Sequence, residues 1–82
     1  MESKLKVHYC LVRQWHHHPL LGKIPVYVIF GTDSFGEKQH FSYPFYDRML
    51  ASLLVRILNR NGVSLLHTED VLHDLLSEAY MP

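Results

Sequence analysis

Eighty-two residues suffice for one domain, 1–82, and leave no room for a second core. An apolar fraction of 48% argues against disorder, and eight Lys plus Arg against eight Asp plus Glu exclude any inference of polyanion attraction from total charge. A single cysteine, Cys10, rules out an intrachain disulfide, so packing must hold the fold, as suits a reducing compartment.

The N-terminus lacks the apolar run of a signal peptide. The longest apolar stretches, Pro25 to Phe30 and Leu53 to Val55, fall far short of a membrane span. A soluble, cytoplasmic protein without a membrane partner is expected. Met1 and the short tail after Tyr80 are what a complete small gene product would show.

Alternation begins near Leu5. Leu5, Val7, Tyr9, Leu11 and Trp15 fall on one side, with Lys4, Lys6, His8 and Gln14 on the other, the period of a half-buried strand. Val12 and Arg13 break the pattern and predict a bulge or a strand end. His16 to Gly22 reads as a connection, because Pro19 and Gly22 interrupt a ladder. Ile24 to Phe30 is apolar on both faces, which suits a central strand with Pro25 tolerated near its start. Gly31 to Gly36 predicts a hairpin-type loop. Lys38 to Phe45 then alternates again, with Phe41, Tyr43 and Phe45 on one side and Lys38, His40 and Ser42 opposite.

A helix follows. Pro44 suits its start, and Asp47 sets negative charge at the positive end of the helix dipole. Met49, Leu50, Leu53, Leu54, Ile57 and Leu58 span an arc of about 160–180° at helical spacing. A helix resting on a sheet needs less, so burial on two sides is expected, against the strands and against the last helix. Asn61-Gly62 supplies a left-handed stop. Val63 to Leu66 stays open between a loop and a short edge strand. Thr68 is expected to cap the last helix, with Glu69 and Asp70 in its first turn and Val71, Leu72, Leu75, Leu76 and Ala79 as its apolar stripe. The expected fold is α+β: a three-stranded antiparallel meander with two helices packed on one face, ordered βββαα.

No residue grouping specifies catalysis, a cofactor or a metal. Three consecutive histidines, His16, His17 and His18, cannot easily converge on one ion, and an exposed polar loop is the plainer explanation. His8 and Cys10 stand roughly 6.5–7 Å apart along a strand, too far for the hydrogen bond that activates a thiol. Glu69, Asp70, His73 and Asp74 share one helix face, as a solvated acidic surface with a salt-bridged histidine would. Gly31 to Lys38 lacks the Gly-Lys-Ser/Thr ending of a phosphate loop.

Surfaces remain. If Tyr9 and Phe41 pack inward, Lys4, Lys6, His8, Lys38 and His40 face outward around Tyr27 and Ile29. Such cations on an aromatic platform could bind nucleic acid. Arg48, Arg56 and Arg60 form a second basic stripe with Val55 exposed among them, whereas Thr68 to Tyr80 holds four acids and no Lys or Arg. Such polarity guides protein association even at zero net charge.

Compact size and lack of a catalytic signature resemble the small accessory or inhibitory proteins of bacteria and their viruses. The expected function is a non-enzymatic protein-interaction module acting on a larger partner. Its candidate contacts are Trp15, His16, His17, His18, Tyr27, Phe35, Glu69, Asp70, Asp74 and Glu78. Nucleic-acid binding through Lys4, Lys6, His8, Tyr27, Lys38 and His40 is the alternative, and a metal-dependent enzyme a third. Surplus apolar surface on the long helix also allows a homodimer.

Overall fold

The computed structural model describes residues 7–36 and 38–80, with Ala79 and Tyr80 as backbone only; Lys4, Leu5 and Lys6 lie outside the described residues. Three strands form one antiparallel sheet in the order β1 (Val7–His18), β2 (Gly22–Asp33), β3 (Gln39–Phe41). Two helices follow, α1 (Arg48–Arg60) and α2 (Thr68–Tyr80), and both contribute to one core on the same face of the sheet. The architecture is therefore α+β, ordered βββαα.

β1 and β2 are longer than the sequence suggests. Their ladder runs unbroken from Val7 opposite Asp33 to His18 opposite Gly22, without the bulge expected at Val12 and Arg13. The three histidines are therefore strand residues, and the connection shrinks to Pro19-Leu20-Leu21. His18 itself helps close the turn, its Nδ1 accepting from the backbone N–H groups of Leu20 and Leu21, both at 3.1 Å. Gly22 follows with φ of +78°, a conformation that side-chain-bearing residues rarely adopt.

The core lies beneath the helices. Tyr9 of β1, Ile29 of β2, Phe45, Ala51, Leu54 and Leu58 of α1, and Leu72 of α2 form it. Tyr9 and Ile29 share a face because Leu11 stands opposite Ile29 and Tyr9 opposite Gly31. Gly31 is required there: a Cβ would sit 2.6 Å from Tyr9 Cε1 and 2.9 Å from Leu65 Cδ2. The Tyr9 hydroxyl donates to the Val63 carbonyl at 2.8 Å and lies 2.7 Å from Thr68 Oγ1, tying β1 to the segment that enters α2.

This arrangement reverses the expected facing of the central strand. Ile29 is buried in the core and Tyr27 lies on the helix side, while Val26, Val28 and Phe30 take the opposite face. The third strand also departs from simple alternation. Phe41 pairs with Phe30, and Ser42 N–H donates to the Ile29 carbonyl, but the next bridge joins Phe45 to Tyr27. Two residues, Tyr43 and Pro44, thus stand against the single Val28. The extra residue changes phase, so Phe41 faces away from the helices while Phe45 enters the core. Ser42 bridges the interruption, its hydroxyl accepting from Ile29 N–H at 2.9 Å and donating to the Tyr43 carbonyl.

α1 starts at Arg48 because Asp47 caps it, one carboxylate oxygen accepting from the N–H groups of Met49 and Leu50. It ends as expected: Val63 N–H donates to the Leu58 carbonyl and Gly62 N–H to that of Asn59, with Gly62 at φ of +58°. Its burial is narrower than the arc of leucines implies. Ala51, Leu54 and Leu58 are buried, but Met49 is 83% exposed and Leu53 is also exposed. Val55 packs against the core rather than lying free.

Leu65–His67 is a 3-10 turn, not a strand, and it runs directly into α2. Thr68 is consequently a helical residue, fully buried, rather than the N-cap expected of it. Its Oγ1 donates back toward the Ser64 and Leu65 carbonyls and meets the Tyr9 hydroxyl. None of the helices among the described residues is long and apolar enough to cross a membrane.

Candidate interaction surfaces

Sheet length outruns helix cover. Val7, Tyr9, Leu11, Tyr27 and Ile29 belong to the helix-side core, whereas no residue from Val12 to Val26 does. The distal half of the β1–β2 hairpin is thus an arm beyond the packed base. Its projection fits a Cα radius of gyration of 14.2 Å, against about 12 Å for a compact chain of this length.

On the helix side, the arm presents Arg13 opposite Tyr27 and Trp15 opposite Pro25. The Arg13 guanidinium carbon lies 5.4 Å from the centre of the Trp15 ring, a cation–π distance, and Trp15 stays 57% exposed. Where the arm meets α1, Leu11, Arg13, Tyr27, Arg48 and Ser52 line an open cleft of about 770 Å³. Two guanidiniums, a phenol and a hydroxyl converge there, and none of the lining residues is acidic. A second cleft shares Arg48 and Ser52 and continues over Met49, Leu50, Leu53 and Arg56, with the helix-capping Asp47 at its rim, so Arg48 and Arg56 of α1 are contiguous with the arm.

The opposite sheet face carries Cys10, Val12, Val26, Val28, Phe30 and Phe41, with the Phe30 and Phe41 rings 4.7 Å apart. It also carries His8, His16 and His18. The platform of cations around Tyr27 and Ile29 does not assemble. His40 turns to the helix side, with Nε2 buried 3.8 Å from the Glu69 carboxylate, within ion-pair range when the ring is protonated but too far for a hydrogen bond. Lys38 is exposed before β3, and Lys4 and Lys6 lie outside the described residues. The cause is the phase of β2 and β3.

Among the expected protein contacts, Trp15 and Tyr27 therefore share the sheet's helix side with His17, while His16 and His18 point to the other face. Phe35 is exposed in the β2–β3 loop, at the other end of the sheet from the arm. Glu69, Asp70, Asp74 and Glu78 are exposed on α2. Arg13, which the alternation treats as a pattern break, was the missed member. Its signal was present in the spacing Leu11-x-Arg13-x-Trp15, which keeps a period of two straight through it.

The edge of β1 has its own geometry. Tyr9 N–H donates to Asn59 Oδ1 at 2.8 Å and Asn59 Nδ2 donates to the Tyr9 carbonyl at 2.9 Å. Both backbone groups of Tyr9 thus point away from β2 and are sealed by one amide side chain. By strand alternation, those of Leu11, Arg13, Trp15 and His17 point the same way.

Groups of three or more His, Cys, Asp or Glu that could hold a metal are absent among the described residues. No family model, no curated protein and no solved structure matches this chain.

Proposed function

We propose that this protein is a small, cytoplasmic, non-enzymatic binding module that takes a carboxylate-rich segment of a larger protein into the cleft between its hairpin arm and α1. The observation that carries this is the convergence of Arg13, Tyr27 and Arg48 beside the exposed Trp15. Arg, Tyr and Trp are the residue types in which interface binding energy concentrates. Guanidiniums hold carboxylates through two parallel hydrogen bonds, so an acidic segment satisfies both arginines where an apolar one would strand them. Steering by the arginines and exclusion of basic partners then set specificity. A modulating or inhibitory role, by occupying the partner's acidic segment, follows from binding without chemistry.

Affinity capture with wild type and with an Arg13→Glu, Arg48→Glu double variant tests the reading. A protein partner held by wild type and lost by an equally stable double variant is expected. Equal capture by both, or retention that disappears on nuclease treatment, overturns it. The second outcome would return nucleic acid as the ligand, a reading weakened by the division of its residues between two faces.

A further inference from the structure

We infer that two copies of this chain pair through their β1 edges, antiparallel and centred on Gln14, to make one continuous six-stranded sheet. The inference concerns the strand edge and does not depend on the proposed acidic partner.

The unpaired stretch of β1 has definite limits. At one end Asn59 occupies both backbone groups of Tyr9. At the other, the strand closes at His18, and Pro19 offers no N–H. Between them, Leu11, Arg13, Trp15 and His17 direct their N–H and C=O groups outward, and no partner for them occurs among the described residues. Edge strands in solitary proteins are commonly blunted by bulges, prolines or charge. Here the seal covers only Tyr9, and the open stretch carries one charged residue, Arg13.

A second copy fits this stretch in one register. With the twofold axis at Gln14, Leu11 stands opposite the second copy's His17 and Arg13 opposite its Trp15. All four outward residues of each copy then exchange hydrogen bonds. Moving the axis to Arg13 sets two guanidiniums against each other and brings His17 against the sealed Tyr9. Moving it to Trp15 brings Leu11 against Pro19. In the Gln14 register, each Arg13 meets the ring of the other copy's Trp15, the contact it already makes within its own strand. The two Gln14 side chains meet in the closer, non-hydrogen-bonded type of pair, where one primary amide complements another. A chain of zero formal charge opposes this association with no net repulsion. Seven residues a side are few beside the ~20–30 of a standard interface, so the dimer is weak and concentration-dependent.

Two variants of the exposed Trp15 test register and partner together. Trp15→Glu and Trp15→Lys remove the same ring and differ only in the sign presented to Arg13 of the second copy. Sedimentation should show the Lys variant dimerising about tenfold more weakly than the Glu variant. Equal affinities, or a wild type that stays monomeric at high concentration, overturn the inference. A dimer lost instead by Phe41→Lys also overturns it, since association would then run through the apolar sheet face. Independently of charge, Gln14→Cys in a Cys10→Ser background should oxidise to a disulfide-linked dimer, whereas Val12→Cys, off the axis, should not. Crosslinking by Val12→Cys alone sinks the register.

Discussion

The two halves of the β1–β2 hairpin share one unbroken ladder yet live under different physics. At the base, Tyr9, Leu11 and Ile29 are pressed against α1 and α2, and the Tyr9 hydroxyl reaches the Val63 carbonyl and Thr68. In the arm, Trp15 of β1 and Leu20 and Leu21 of the connecting turn are exposed, and from Val12 to Val26 there is no helix-side core residue, Val26 being buried on the opposite face. The β1–β2 ladder is the same in both halves, but β3 pairs only with the base half of β2, so the halves differ both in side-chain packing and in having a third strand. Stability resides in the base, where burial removes apolar area from water; the arm leaves aromatic and cationic groups exposed, and the proposed binding is placed there.

Substitution at the base should produce the largest losses. Leu58→Ala, which empties a fully buried site, is expected to cost about 2–5 kcal/mol by chemical denaturation. A loss below that of a surface change would mean that α1 is not seated on the sheet. Gly31→Ala comes next, at about 1–3 kcal/mol, because its new methyl group meets the Tyr9 ring and Leu65 at distances real Cβ atoms do not occupy.

Tyr9→Phe should cost about 1–3 kcal/mol, since it leaves the part-buried Val63 carbonyl without its donor and removes the contact with Thr68 Oγ1. It also sharpens the comparison through pH. Burial raises the Tyr9 phenol above its ordinary pKa of 10.0, only partly offset by the bond to Thr68. The folded state therefore favours the neutral phenol. That contribution is complete below pH 10.0 and is lost as pH rises through the folded pKa. Melting curves should show an alkaline decline in wild type that is reduced in Tyr9→Phe; identical declines would place the titrating group elsewhere.

In the arm, Trp15→Ser should change stability by no more than about 0.5 kcal/mol while reducing binding, the smallest stability effect of the series. A large loss of folding stability would show that the arm is packed, and the division between base and arm would fail.

The order βββαα, the position of α1, its stop at Asn61-Gly62 and the acidic face of α2 were legible in the sequence, because each rests on local rules of period, capping and charge. The facing of β2 was not. Ile24 to Phe30 is apolar on both sides, so alternation alone is silent about which side the helices cover. Docking of α1 and α2 over Tyr9 and Ile29 settled that, and with it the side on which Tyr27 lies. The one-residue step between Ser42 and Phe45 was equally hidden, since Phe41, Tyr43 and Phe45 keep a clean period of two along the chain.

Local sequence decided what each segment became: its conformation is a competition among neighbouring residues, settled by propensity, caps and turn chemistry. Tertiary structure alone decided which groups share a surface, because a strand's two faces become inequivalent only when another element buries one of them. The meeting of Arg13 and Tyr27 with Arg48, and the sealing of Tyr9 by Asn59, join residues dozens of positions apart. No short-range pattern in the chain encodes such neighbours.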